Sequence, residues 1–255
     1  MTTYELLKSL PGATPAEKAA QVQALYARAA FHSSGLMYSM QRLADGEVRP
    51  FEPRDFEGAF FVKSLKIAGA WEYLHGENSI THAGIYLASQ AYRLQVEDTA
   101  DAREQAAKAF HSLELIFEMG VKEGKPGWMC KPYGFRPSDQ TSPDQYLDAC
   151  WGLYAYHAVA PADQRRKIEE MVAAFADYWR SVDYTLTYFG NHWNFGAYGG
   201  YGNAKLILVN ALAHHFTGRQ VYLDEARKFL DRADWMTDSS VTGWRCRPIG
   251  RAPRL

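Results

Sequence analysis

The chain has 255 residues, enough for a single domain with a substantial core. Its 28 basic residues nearly balance its 29 acidic ones, leaving a formal charge of -1, so no global field favours nucleic acid or an anionic membrane. Three cysteines, Cys130, Cys150 and Cys246, are too few and too scattered for a disulfide framework or a metal cluster.

The first residues, MTTYELLKSLPGATPAEK, contain no apolar signal-peptide core, and no apolar run is long enough to cross a bilayer. A reduced, cytoplasmic protein is the default expectation; a clipped chain from the periplasm or outside the cell would read the same way. From Ala16 to Phe31 the spacing of Ala20, Ala24, Ala27 and Phe31 predicts a helix. Gly35 to Arg54 reads as a long excursion punctuated by Gly46, Pro50 and Pro53. Phe56 to Leu74 is apolar and reads as helix, broken by Gly58 and Gly69.

A repeat then begins. Ser79 to Arg93 is apolar nearly all round, and Asp101 to Met119 is apolar on one side only: Ala106, Ala109, Phe110, Leu113, Ile116 and Phe117. The same alternation recurs as Pro143–Val159 with Ala162–Arg180, and as Tyr201–Phe216 with Gln220–Trp235. Three helical hairpins, about 79–119, 143–180 and 201–235, predict an all-α chain, one domain over 1–255, built as a solenoid or closed toroid. A helix apolar on all sides is expected to be covered on both, which favours an inner ring.

Connections within each pair are short, whereas Gly120–Ser142 and Ser181–Gly200 are long. The long loops must gather at one end, over the N-termini of the first helices, where unpaired N–H groups and the positive end of the dipole suit carboxylates and hydroxyls. Ser142, Pro143 and Gln145 read as a capping box opening the second such helix.

Four constellations fall in that region. Asp139 and Asp144 flank this helix start and are candidate catalytic carboxylates, with Gln145 beside them. His192, between Asn191 and Asn194 and next to Trp193, is a candidate for proton transfer, with Tyr201 following. Trp128, Lys131, Tyr133 and Arg136 suit an acidic sugar, by stacking and by bidentate hydrogen bonds. Glu77, Asn78 and His82 stand at the first helix start, where Ser79 is the expected N-cap. Each residue also has an ordinary use: caps and dipole partners for the acids, turn residues for the asparagines, loop anchors for the aromatics. Fingerprints for dinucleotides, phosphate loops, zinc proteases and serine hydrolases are absent from the sequence, and neither a metal nor a cofactor is expected.

The paired helices, together with SITHAGIYLASQAYRL and TSPDQYLDACWGLYAYH, resemble the six-hairpin (α/α) toroid proteins of carbohydrate metabolism, among them unsaturated glucuronyl hydrolases and several polysaccharide lyases. The resemblance spans about Phe56 to Asp234. It implies an incomplete ring or a fragment of one, because three hairpins are clear where the family has six. It further implies a glycoside hydrolase acting on a uronic-acid-containing glycan or oligosaccharide. A lyase on the same substrates, a non-catalytic glycan-binding scaffold and a sugar epimerase remain alternatives.

Overall fold

The structure, a computed structural model, describes residues 14–44, 47–56, 67–195 and 201–231. It is mostly helical, with two small two-stranded sheets among the described residues. Helix α1 spans Pro15–Ala29, and α2 spans Ala70–Gly76. The three pairs follow: α3 (Ser79–Val96) with α4 (Ala100–Lys122), α5 (Pro143–His157) with α6 (Ala162–Ser181), and α7 (Tyr201–Thr217) with α8 (Gln220–Asp231). The expected hairpins are therefore present, with the end of the third beyond Asp231 outside the described residues. No described helix is long and apolar enough to cross a membrane.

Each second helix turns one stripe inward. On α4 the buried stripe includes Ala106, Ala109, Phe110, Leu113, Ile116 and Phe117, and on α6 it includes Ile168, Met171, Val172, Phe175 and Trp179. The first helices pack on one another, α3 on α5 and α5 on α7. Gln145 reaches Asn78, Asp148 is hydrogen-bonded by Thr81, and Gly152 meets Gly84, so positions match at a nearly constant offset and α3 runs parallel to α5. Two glycines set the closeness of this pair. A Cβ on Gly84 would stand 2.3 Å from the Asp148 carbonyl oxygen, and one on Gly152 would stand 2.3 Å from the carbonyl oxygen of Gly84.

Several expectations need correction. The helix read over Phe56–Leu74 is, where described, a 3₁₀ turn at Pro53–Phe56 and then α2, which begins only after Gly69; residues 57–66 lie outside the described set. Asn78, not Ser79, is the residue before α3, and the Ser79 hydroxyl donates back to the His75 carbonyl at 3.1 Å. The capping box at Ser142 does not form: the Ser142 hydroxyl is unpaired and Gln145 turns away to donate to the Glu77 carbonyl at 2.5 Å. Ser181–Gly200 is not all loop. Thr185–Tyr188 (β3) and Asn191–Asn194 (β4) pair antiparallel across Phe189–Gly190, both at positive φ, as a two-residue hairpin turn requires. A second short ribbon pairs Arg42–Ala44 (β1) with Glu47–Arg49 (β2).

Among the described residues, α3 and α5 are not covered on both sides. Ile85, Tyr92, Trp151 and Tyr154 are exposed, with Trp151 at 45% and Tyr154 at 53%. They mark an open face along α3 and α5. Helix α1 flanks α3, from which a groove of about 1530 Å³ separates it, and is held there by Gln23, which donates to the Tyr86 hydroxyl at 2.7 Å and accepts from Gln90.

Candidate functional site

The long loop 123–142 is fixed from below by α5. The Tyr146 hydroxyl, fully buried, donates to the Gly127 carbonyl and accepts the Met129 N–H, at 2.9 and 2.7 Å. Thr141 donates to the Met129 carbonyl and Ser138 to that of Lys131. The loop thereby delivers Lys131 and Tyr133 to the elbow between α2 and α3, where Glu77 is buried. One Glu77 oxygen accepts from the Lys131 ammonium and from the Tyr188 hydroxyl (2.7 Å); the other accepts from the Tyr133 hydroxyl at 2.5 Å. Tyr73 stacks on Tyr133 at 5.3 Å. Burial, reinforced by the Glu77 charge, holds all three phenols protonated, pushing Tyr73 up to about 12 and Tyr133 and Tyr188 higher still. Since Tyr188 closes β3 and Phe189 donates its N–H to Gln140 at 3.0 Å, the β-hairpin and the long loop meet over the same helix ends. The gathering of the long connections at one end, expected from their lengths, is observed here.

A second group lies on the open face. Asp144 and Asp148 are one turn apart on α5 and partly buried. Burial raises the Asp148 carboxyl above its usual range, and the charge of Asp144 raises it further, against the hydrogen bond from Thr81 and the positive fields of Lys205 and His82. Burial lowers His82, which points Nδ1 at the Tyr38 carbonyl (3.4 Å) and feels the charge of Asp148. A carboxyl pushed up and an imidazole pushed down in one place are the ingredients of proton transfer near neutral pH. Continuing along α5, the same face carries Trp151 and Tyr154; the Trp151 N–H donates to the Tyr92 hydroxyl of α3 at 3.1 Å, and Tyr154 meets His215 of α7 edge-on. The face thus runs from carboxylates at the loop end to aromatic rings at the other.

The remaining sequence-predicted residues divide as follows. Gln145 is buried and bonds the Glu77 carbonyl and, at 3.5 Å, Asn78. Arg136 does not stand free for a ligand: it forks onto Glu72 at 3.0 and 2.9 Å. Trp128 is buried under Lys125 rather than open as a stacking platform. Asp139 is exposed and accepts from Gln140, and its partner in the expected pair, Asp144, is coupled to Asp148 instead. Asn191, His192 and Trp193 are exposed on β4, Trp193 lying parallel to Phe195, while Asn194 is half-buried opposite Thr185. The side chain of Tyr201 lies outside the described residues.

Sequence reasoning passed over Asp148 and placed Glu77 only in the group at the first helix start, without the partners it has here. Asp148 was legible as an acid recurring four positions after Asp144 in an otherwise apolar helix, a spacing that puts both on one face. Glu77 had no such signal, since its partners come from positions 131, 133 and 188. Among the described residues no group of three or more histidine, cysteine or acidic side chains is placed to hold a metal ion. Compared with known protein families, with characterised proteins and with solved structures, the chain matches none.

Proposed function

We propose that this chain is a carbohydrate-active enzyme, a glycoside hydrolase acting on a uronic-acid-containing glycan or oligosaccharide, and that its hairpins form an arc of an (α/α) toroid. The observation that carries the reading is the Asp144–Asp148 pair with His82 on the open face of the parallel first helices. Glycosidases use two carboxyl groups across the scissile bond, one kept protonated. Acids four positions apart on a helix hold their Cβ atoms about 5–6 Å apart, which lets the two carboxyl groups adopt the roughly 5–5.5 Å spacing of retaining glycosidases. Asp148, raised by burial and by Asp144, serves as general acid, and Asp144 serves as the base or nucleophile. Lys205, buried beside this face, acts on Asp148 through its charge and limits how far that carboxyl is raised. Trp151 and Tyr154 offer flat apolar surfaces with polar edges to the next sugar ring.

The test is Asp148→Asn and Asp144→Asn, each checked for an intact fold by circular dichroism, on a panel of uronic-acid glycans read by new reducing ends and by the ultraviolet absorbance of unsaturated uronides. Hydrolysis requires that both variants lose about 100-fold or more in turnover. Loss confined to His192→Ala, with ultraviolet-absorbing products, replaces the reading with a lyase. Binding without turnover in the parent chain replaces it with a glycan-binding scaffold.

A further inference from the structure

Away from the carboxylates, three aromatic rings from distant parts of the chain lie in one stack. His32 lies on Phe135 at 3.9 Å and 6°, and His75 lies nearly parallel to the same ring at 5.3 Å and 17°. Tyr38 meets all three edge-on. His32 belongs to the segment after α1, His75 to α2, and Phe135 to the long loop, two residues from Tyr133. Phe135 holds a φ of 60°, a costly conformation for a bulky residue, so its surroundings must keep it there.

We propose that the His32–Phe135–His75 stack is a pH-operated clasp, which holds the loop carrying Lys131 and Tyr133 against the segment around His32 and releases it when the two imidazoles take up protons.

The hydrogen bonds give the direction. His32 Nδ1 accepts from the Ser34 N–H at 3.2 Å and lies 2.9 Å from the Ser34 hydroxyl. An acceptor nitrogen carries no proton, so the turn His32–Leu36 is built on the neutral ring. Protonation removes that acceptor from the Ser34 N–H and leaves the new Nδ1–H only the Ser34 hydroxyl to donate to, so the turn loses one hydrogen bond. His75 Nε2 lies 2.8 Å from the Phe51 carbonyl, a bond it can make in either state, so its cost on protonation is burial.

The charged and titratable groups around the stack do not remove that cost. Glu72 favours a charged His75, but it is already forked by Arg136 and bonded by the Ala68 N–H. From α4, His111 packs against Gly35 and approaches Glu114. Tyr38 is held protonated by burial and offers no anion. His32 and His75 repel once charged, so the second proton is harder to add than the first. Burial lowers both histidines, with this repulsion adding to the shift at His32.

The experiment is hydrogen exchange of the full chain at pH 7.5 and pH 5.0, corrected for intrinsic rates and resolved for peptides covering 30–38 and 131–137. The clasp requires protection in both peptides to fall together, about ten-fold or more, at the lower pH. It also requires His32→Gln/His75→Gln to abolish that pH dependence. The proposal is overturned if the peptides keep their protection at pH 5.0, or if the double variant loses it as the parent does. Should the double variant not fold, the parent decides by nuclear magnetic resonance. The His32 and His75 ring protons must then titrate below an ordinary histidine, in step with the Phe135 ring signals; independent titration of the three overturns the clasp.

Discussion

Removal of the Glu77 carboxylate tests the account of the loop end most directly. In Glu77→Ala, the Lys131 ammonium, 3% exposed, loses its counter-charge, and the hydroxyls of Tyr133 and Tyr188 lose their acceptor. Breaking a buried ion pair from one side costs about 3–5 kcal/mol. A stranded buried hydroxyl adds about 1–3 kcal/mol, although Tyr188 is only half-buried and can rehydrate. These costs overlap, so the expected total is about 5 kcal/mol, a large part of the roughly 5–15 kcal/mol that holds a domain together. Urea unfolding followed by far-ultraviolet circular dichroism measures it, in parallel with Glu77→Leu/Lys131→Met. The double variant removes both charges and fills the space, so it is expected to recover most of the loss. A cost below about 1 kcal/mol for Glu77→Ala, or a double variant as unstable as the single one, would refute the view that this carboxylate ties the elbow to the loop and the hairpin.

Further expectations concern packing, titration and turns. Gly84→Ala forces a methyl group against the Asp148 carbonyl and is expected to cost about 2–3 kcal/mol by calorimetry, where Ala88→Ser on the same helix serves as a control for mild polar insertion. The Asp148 carboxyl carbon, followed by nuclear magnetic resonance, is expected to titrate above 3.8, and in Asp144→Asn its midpoint is expected to fall. Because the folded state holds the Asp148 proton more tightly than the unfolded one, this group's contribution to stability is lost as pH rises through the raised value; Asp148→Asn is therefore expected to be more stable than the parent at pH 7 and not at pH 3. Tyr146→Phe strips the Gly127 carbonyl and Met129 N–H of a shared buried partner, costing about 1–3 kcal/mol and speeding proteolysis within 123–142. Gly190→Val puts a β-branched residue at a φ of 77° and is expected to unpair β3 from β4, visible as faster amide exchange at Leu186 and Asn191, which lie in the hydrogen-bonded pairs of the ladder.

The legible part of this chain was its periodicity. The stripe on α4 from Ala106 to Phe117 and that on α6 from Ile168 to Trp179 are read directly as the buried faces they form, because a one-sided helix has one way to face a core. The first helices misled in one respect. Tyr92, Trp151 and Tyr154 count as apolar in any pattern, yet they stand on the open face, where polar edges let them meet water and each other. Cap reading failed at Ser142 because Gln145 had a better partner across the chain in the Glu77 carbonyl, and sequence spacing carries no record of neighbours 68 residues away. Of the candidate site, the loop-end location and Asp144, His82, Lys131 and Tyr133 were legible; their division between a buried ionic cluster and an open acidic face was not.

The glycine crossing of α3 and α5 has a kinetic consequence. Each hairpin joins neighbours in sequence and closes a short loop, so it forms from local encounters. Gly84 and Gly152 lie 68 positions apart, and their backbones touch with no side chain between them. Such a contact is all-or-none: a greasy side chain can make partial contacts while it searches, whereas two bare backbones gain nothing until the register is correct. Docking of preformed hairpins is therefore the expected slow event in refolding, and substitutions at the crossing should act chiefly on that step. This bare backbone contact then doubles as the checkpoint for joining the first repeat to the second.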